Sequence, residues 1–551
     1  MMMIANIAVL AETASLDMRG ESNKDSNSEV SAPPSPDIPA DSVLEVNGAT
    51  IGNIIIVVNN VFDTDNPKEN NVIFRSANAL HIKTKEQAIR YQLLFRGGDL
   101  YSRRLIDESE RLLRTNDYIY EAKIEIVSYK DNKVDVRVVI RDNWTIRFGA
   151  SYSVEGGQSA TGATVGDTNF LGLGKTLEYG TTKTSLRTQH SVRYIDPNLF
   201  GGRHRLALEY GSNSDGEDRS LGIELPFYAL DTSRSYGATV VQSNTIDARY
   251  SGGVITEQYI RDENRYSVFW GRSHGLRHEH VDRWRIGISL TEERYYQLNA
   301  ASTVQLPLDS NLAYPWLEYE MIEDRYRKMS QVFLLNRTED VNLGNSAVIR
   351  VGYLSEKLGG DGSGVIMNMR YGTSYSYNPD RLLFVSLGGS GLQEDDTYRD
   401  TLFSLAVRYF HPNFKNQSFY AGILVENAEY FTDEEPLWLG GEAGLRGYPL
   451  RYQHGTRKRL LTLEQRYYTP YHLFRVFHVA GVIFADVGRA WDPVLSSNPY
   501  PGVLSDVGVG LRFASSRTGG ENVLHFDVAF PLDGDPSIAG VQYTLKAQST
   551  F

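Results

Sequence analysis

Cysteine is absent from all 551 residues. That excludes disulfides, thiol nucleophiles and thiolate metal sites, and it suits a chain that crosses an oxidising compartment unfolded. Long apolar runs are also missing: no stretch approaches the roughly eighteen residues of a membrane-spanning helix. Positive charge is short, with 56 Lys+Arg against 68 Asp+Glu and a net charge of −12, so the chain lacks the basic balance of a nucleic-acid partner. Met (8) and Trp (6) are scarce, whereas Tyr (34) and Gly (49) are plentiful. Richness in Tyr, Gly and Thr without helical Leu/Ala patterning indicates an all-β protein. A mean hydropathy of −0.35 does not exclude a membrane, because strands that alternate in polarity average to near neutrality.

Four regions follow from the pattern. Residues 1–20 read as a secretory signal segment, with Ile4-Ala5-Asn6-Ile7-Ala8-Val9-Leu10-Ala11 as its apolar part. No Lys or Arg precedes that part, so the true start is expected upstream. Residues 21–50 read as a disordered linker, mostly Ser, Asn, Asp and Pro, which cannot bury enough surface to offset the entropy of ordering. Residues 51–143 form an α/β unit. In it, Ile54-Ile55-Ile56-Val57-Val58 is expected as a buried strand, and Lys85 to Leu94 has helical spacing. After Gly97-Gly98 a second helix is expected from the N-cap Ser102, with Leu105, Ile106, Leu112 and Leu113 inward and Arg103, Asp107, Glu110 and Arg114 outward. Two strands, Ala122 to Tyr129 and Val134 to Ile140, then flank a turn at Lys130-Asp131-Asn132-Lys133, giving the order β-α-α-β-β.

Residues 144–551 read as a transmembrane barrel. In His525 to Phe530, Phe526, Val528 and Phe530 share one face and His525, Asp527 and Ala529 the other; Arg205 to Tyr210 repeats the pattern. Apolar-out and polar-in at period two is what a lipid-facing sheet requires, since every backbone group there must be paired, although a soluble β-sandwich alternates in the same way. At about 25 residues per strand and loop, the region holds about sixteen antiparallel strands. Trp144, Tyr152, Trp284, Tyr467-Tyr468 and Trp491 are placed for aromatic girdles.

Within that region Gly444-Leu445-Arg446-Gly447-Tyr448 sets an arginine between glycines, and Phe484-Ala485-Asp486-Val487-Gly488 sets an aspartate on a strand soon after. Glycines let a loop approach a wall closely, and a guanidinium presents a rigid fork to a carboxylate. A pairing of Arg446 with Asp486 inside the barrel would pin the loop there; an ordinary surface arginine and a turn aspartate fit the chemistry equally well. Glu464 and Arg466 share a strand face and would extend a luminal ion network or serve as plain polar lining.

Leu445, Arg446, Gly447 and Tyr448 match the (V/L)-R-G-(F/Y) loop motif of the BamA/TamA superfamily, and Phe484, Asp486 and Gly488 match its F-x-D-x-G strand motif. Asp167-Thr168-Asn169-Phe170-Leu171-Gly172 resembles the superfamily's early N-F-L-G turn, and Phe551 its C-terminal assembly signal. The β-α-α-β-β unit, with Phe95-Arg96-Gly97-Gly98-Asp99-Leu100-Tyr101 between its helices, resembles a POTRA domain. The resemblance implies an all-β barrel with one N-terminal POTRA unit in a bacterial outer membrane, the POTRA unit lying in the periplasm. It further implies that Arg446 bonds to Asp486 within the barrel. Outer-membrane lipids, unfolded outer-membrane or secreted proteins and periplasmic accessory proteins or chaperones are the partners it implies. The activity would be insertion, assembly or translocation of proteins by strand pairing. Assembly proteins of the superfamily carry several POTRA units and two-partner exporters usually two, so a dedicated exporter and a pore-like surface protein stay open.

Enzyme-like patterns fail. Gly172-Leu173-Gly174-Lys175-Thr176 ends like a phosphate loop but has Asn169 where the first glycine belongs. Gly388-Gly389-Ser390-Gly391-Leu392 lacks the spacing of a nucleophile elbow, and His278-Glu279-His280 lacks a third ligand. The expectation is a non-enzyme without cofactor or metal. Glu434-Glu435 and Glu394-Asp395-Asp396 read as solvated loop runs.

Overall fold

The computed structural model describes residues 38–548 apart from 156–157, 185–186, 252–253, 300–303, 379, 395–396, 430–435, 494–497, 499, 520–522, 535 and 537. The signal segment, the linker as far as residue 37, Glu434-Glu435, Asp395-Asp396 and Phe551 lie outside the described residues, as does the side chain of Tyr152.

The N-terminal unit contains α1 (Asp41–Val46), β1 (Thr50–Asn59), α2 (Val72–Leu80), α3 (Glu86–Arg90), α4 (Arg103–Arg114), β2 (Ile119–Lys130) and β3 (Lys133–Asp142). Its sheet has the order β1-β3-β2, with β1 parallel and β2 antiparallel to β3. Asp131 and Asn132 both take positive φ, 52° and 56°, so the β2–β3 turn twists with its strands. Ile51, Ile89, Phe95, Ile106, Leu113, Ile124, Val136 and Val138 make the core. Helix α4 starts where Ser102 placed it, although the serine side chain makes no cap bond. The expected Lys85–Leu94 helix is only Glu86–Arg90. An unforeseen helix, α2, is capped by Asn71, which accepts the Phe74 N–H at 2.9 Å.

The apolar run in β1 departs from expectation. It lies at a sheet edge rather than in the interior, and Ile55 is 45% exposed. Five β-branched residues in a row promise a strand but say nothing about which side has a neighbour. The start of β1 is tied across β3 by Asp135, which accepts the Asn53 N–H at 2.6 Å and the Ser128 hydroxyl at 2.8 Å. The Asn53 bond, then the Ser128 bond, hold this carboxyl below the usual carboxylate range. A carboxyl with a depressed folded pKa contributes stability that is full above its unfolded pKa and is lost as pH falls through its folded pKa. Asp135→Ala is therefore expected to cost about 1 kcal/mol at pH 7. The cost, read as faster amide exchange in β1, should shrink towards zero as pH falls through that depressed folded pKa, below the ordinary aspartate range. A pH-independent difference would rule this account out.

The rest of the chain is strand after strand: β4 (Ile146–Glu155), β5 (Gln158–Asp167), β6 (Thr176–Lys183), β7 (Thr188–Leu199), β8 (His204–Asn213), β9 (Gly216–Leu225), β10 (Arg234–Ser251), β11 (Val254–Arg277), β12 (His280–Gln297) and β13 (Ser310–Glu323). There follow β14 (Tyr326–Met329), β15 (Glu339–Asn342), β16 (Ser346–Leu354), β17 (Gly364–Asn378), β18 (Arg381–Glu394), β19 (Thr397–Phe414), β20 (Gln417–Glu429), β21 (Leu437–Leu439) and β22 (Gln453–Gly455). The last five are β23 (Arg457–Leu473), β24 (Phe477–Trp491), β25 (Leu504–Ser515), β26 (Val523–Pro531) and β27 (Gln542–Gln548). Strands β14–β15 and β21–β22 are small hairpins, and the others form one antiparallel sheet ordered as a ring. Its two ends meet where Leu545 of β27 stands opposite Val154 of β4.

Among the described residues the ring has twenty strands, not about sixteen. The estimate assumed long connections, but many are two-residue turns, such as His278-Glu279, where both φ are positive (50° and 65°). Alternation is as expected: Phe526 and Phe530 face out, while His525, Asp527 and Ala529 are buried inward. Trp270, Ile286, Ile288, Leu317 and Val351 lie outward and exposed, opposite a charged interior containing Arg285, Glu318 and Glu320. Tyr467 and Trp284 face out as girdle residues do, but Tyr468 points inward, because neighbours on a strand take opposite faces.

Strand turns at one end of the ring carry the N-terminal unit. Asn169, fully buried, accepts the Gly174 N–H at 2.7 Å and donates to Thr84 Oγ1 at 2.8 Å. A Cβ on Gly172 would lie 2.5 Å from the Lys83 carbonyl, and one on Gly174 would lie 2.8 Å from the Tyr118 hydroxyl. The glycines that resembled a phosphate loop are thus a docking turn. Two residues expected to face solvent, Glu110 and Arg114 of α4, are buried. The helix face that reads as polar in isolation is covered by the β14–β15 hairpin. Arg114 forks onto Asp340 at 2.7–3.0 Å and Lys328 reaches Glu110 at 2.7 Å.

Candidate functional site

The connection between β20 and β23 leaves the end opposite the N-terminal unit and turns back into the ring. Its turn needs positive φ at Gly440 (112°), Gly444 (102°) and Leu445 (65°). Leu445 and Tyr448 are fully buried and pack with Leu439, Tyr452, Ala490 and Leu504. The Tyr448 hydroxyl donates to the Ser505 carbonyl at 2.8 Å. Burying two large side chains holds the loop by several kcal/mol, on the order of 2 for each.

This seating delivers Arg446 to the inner wall. Its Nε donates to Asp486 Oδ2 at 2.8 Å and its Nη2 to Asp486 Oδ1 at 3.1 Å, the fork inferred from the sequence motif. Nη1 donates to Glu464 Oε1 at 2.9 Å, and the guanidinium lies 3.5 Å from the Phe484 ring centroid. Burial alone would pull the guanidinium pKa down. Asp486 and then Glu464 outweigh it and hold the pKa above the ordinary arginine value. Arg466 closes the other side of Glu464, donating from Nε to Oε2 at 2.9 Å. The four charges Arg446, Asp486, Glu464 and Arg466 therefore form one buried, mutually bonded group. Of the other sequence candidates, Phe484 lies against this group, whereas Leu445 and Tyr448 belong to the apolar cluster that seats the loop. Gly488 gives the loop room, since a Cβ there would lie 3.3 Å from Leu439 Cδ2 of the loop as well as 2.8 Å from the Arg459 carbonyl on the next strand.

Several participants were not foreseen. Asp506 accepts the Gly447 N–H at 2.9 Å. Gln453, fully buried, donates to the carbonyls of Tyr500 and Gly502 and accepts from Ala490 N–H. Arg512 and Asp527 pair at 2.6 Å on adjacent strands, both 1% exposed. Period-two alternation placed Asp527 inward, but no spacing signal names its partner. Gly447 sits so close to the wall that a Cβ would lie 2.6 Å from Asp506 Cβ. Gly447→Ala is therefore expected to cost about 1–3 kcal/mol by overpacking, seen as protease cleavage between 440 and 456 that the parent resists.

The hairpin β14–β15 enters the ring from the N-terminal unit's end. Val332 and Phe333 pack on Phe384 and Phe410, and Leu335 packs with Tyr468, Ala480 and Phe484. Its tip is held by Glu339, fully buried, which accepts the N–H groups of Val332 and Phe333 at 2.9 and 2.8 Å. Tyr468 donates to the Gln331 carbonyl at 3.0 Å, and Arg466 Nη1 reaches the Val332 carbonyl at 3.4 Å. A bonded path thus runs from Arg114 and Asp340 through the hairpin to Arg466, Glu464, Arg446 and Asp486. Among the described residues no group of acids and histidines is arranged to hold a metal.

No known family's sequence profile matches this chain, and no curated protein matches it. Among solved structures, BamA from Haemophilus ducreyi lacking POTRA domains 1–3 aligns with 90% of this chain and 85% of its own at 14% identity, TM-score 0.37. CdiB from Acinetobacter baumannii aligns with 90% and 73% at 12% identity, TM-score 0.46. The FrpB iron transporter from Neisseria meningitidis aligns with 97% and 91% at 9% identity, TM-score 0.40. At these scores the likeness does not identify a family.

Proposed function

We propose that the chain is an outer-membrane barrel of the BamA/TamA kind that inserts or translocates other polypeptides. The observation that carries this is the Arg446 fork on Asp486, which joins the loop motif to the strand motif of that superfamily's pattern. The outward apolar belt around a charged interior supports the membrane location. The unit over 41–142 is read as a POTRA-like domain on the periplasmic side. The reaction changes no covalent bond; strands exchange hydrogen-bond partners.

Insertion at the wall is favoured over passage through the middle. The hairpin β14–β15 fills the lumen from one end and the Arg446 loop from the other. Among the described residues the ring is thinnest where Leu545 alone stands opposite Val154, whereas β26 and β27 pair from Val523 with Gln548 to Ala529 with Gln542. An incoming strand that pairs with β27 or β4 there loses little and gains a full ladder. Photocrosslinking in cells from Ile146 and Leu545 tests the proposal. Adducts to several unrelated outer-membrane proteins are expected. One recurrent secreted partner would instead make the chain a dedicated exporter, and no adducts would make it a passive surface protein.

A further inference from the structure

We infer that Arg234 and Arg272, side by side on the outer face of the ring, hold the phosphate of an anionic phospholipid, one of whose acyl chains lies in the apolar groove next to them. This rests on the proposed membrane location and is independent of how clients are handled.

The two arginines are direct register partners on β10 and β11, which sets their Cβ atoms about 5 Å apart. Alternation turns both to the outer face with Tyr236, Trp270 and Trp284, and both are exposed. Like charges directly opposite on a sheet repel, yet among the described residues neither guanidinium is in an ion pair. The inward arginines of β11 and β12 are finished differently. Arg261 meets Asp247, Arg265 meets Glu263, Arg283 meets Glu320 and Arg285 meets Glu318. Asp282, an outward acid, is diagonal to Arg272 across the β11–β12 pair but accepts the Tyr319 hydroxyl at 2.5 Å. Two adjacent guanidiniums with no carboxylate between them match a phosphate, which takes bidentate donors. His274, exposed two residues beyond Arg272, adds a further donor.

Position and shape select a lipid over a free anion. Arg234 opens β10 just after the β9–β10 turn, where the Leu230 N–H donates to Glu108 of α4 at 2.7 Å. The pair therefore lies at headgroup level on the side of the N-terminal unit, with exposed Tyr236, Trp270 and Trp284 beside it as interfacial aromatics are placed. Further along the same strands, towards the middle of the wall, the outer face is hollowed into a groove of about 910 Å³. Trp270, Ile286, Ile288, Pro315, Leu317 and Val351 line it. Pro315 stands opposite Ile288, and its short ring beside these larger side chains makes the wall concave there. From Arg272 to Val268, which also lines the groove, is about 14 Å along β11. An acyl chain laid in the groove brings the phosphate of its own headgroup to Arg272 and Arg234. The fitting ligand is thus a long apolar chain with a negative phosphate at one end, held by the same mixture of apolar burial and basic attraction that binds anionic headgroups elsewhere.

The test uses the full-length protein in detergent, read by native mass spectrometry against phosphatidylglycerol, diacylglycerol with the same chains and inorganic phosphate. Phosphatidylglycerol is expected to stay bound, and the other two are not. Arg234→Gln with Arg272→Gln should weaken its retention about tenfold or more, at an unchanged folded fraction on unheated gels. Arg234→Lys with Arg272→Lys should fall between. Arg219→Gln with Arg457→Gln, which removes the same charge from the opposite end of the ring, should leave retention at the parental level. Pro315→Leu, which fills the groove, should weaken it. Equal retention by the parent and the glutamine pair overturns the site, and so does diacylglycerol bound as well as phosphatidylglycerol. Inorganic phosphate that binds and displaces the lipid makes it a free-anion site and overturns the lipid assignment. The parent's choice among the three probes decides the matter even where a variant does not fold. Each of these failures leaves the proposed function standing, whereas a chain that folds in buffer without detergent or lipid overturns both.

Discussion

Arg446→Ala should lose most of the heat-resistant barrel while the N-terminal domain stays folded. Removing the guanidinium leaves Asp486 and Glu464 buried at the wall with their shared partner gone, and breaking a buried pair from one side costs about 3–5 kcal/mol. The mutation also opens the space over Phe484. Arg446→Lys should fall between parent and alanine, because an ammonium can reach only one oxygen and stacks less well on a ring. In the alanine background, Asp486→Asn should recover part of the loss by neutralising the stranded carboxylate; this coupling separates an ion-pair effect from simple loop damage. The readouts are the folded fraction on unheated gels, protease resistance of residues 41–142 and seam crosslinking. An alanine variant equal to the parent in folded fraction and crosslinking would mean the pair is ornamental.

That pair was legible because its determinants are local. Glycines around Arg446 and period-two alternation around Asp486 each survive in a short window, and the family motifs join them. Glu464 and Arg466 were half legible: strand alternation put them on one face, but not that Glu464 bridges two arginines. Asp506 and Gln453 left no trace, since each acts on backbone groups supplied by distant segments. The misreading of Glu110 and Arg114 has the same origin. A helical pattern divides faces into apolar and polar, and the polar face of α4 is buried by a hairpin more than 200 residues later in the chain. The strand number failed for a simpler reason: connection length is set by turn chemistry, and composition averages over it.

Shortening the hairpin tip, by replacing 331–336 with two glycines, is expected to convert a closed ring into a conducting one. Val332, Phe333 and Leu335 supply apolar contacts in the clusters that hold Phe384, Phe410 and Tyr468. Arg114→Ala should act more gently from outside the lumen. It frees Asp340 and loosens the hairpin base by about 3 kcal/mol or more, roughly a hundredfold shift towards the undocked state. Planar-bilayer conductance measures both, and the order shortened tip, Arg114→Ala, parent is expected. The absence of native cysteine allows the converse experiment on a clean background. Leu335 and Ala480 share one packed cluster, so Leu335→Cys with Ala480→Cys should lock the tip when oxidised and release it on reduction. If the shortened chain conducts no more than the parent, the hairpin is not what closes that end. If the locked chain still inserts clients at the parental rate while the shortened one does not, the hairpin is a brace for Arg466 and Glu464 and need not move. That outcome would place the whole activity at the seam, where the ring is held by Leu545 and Val154.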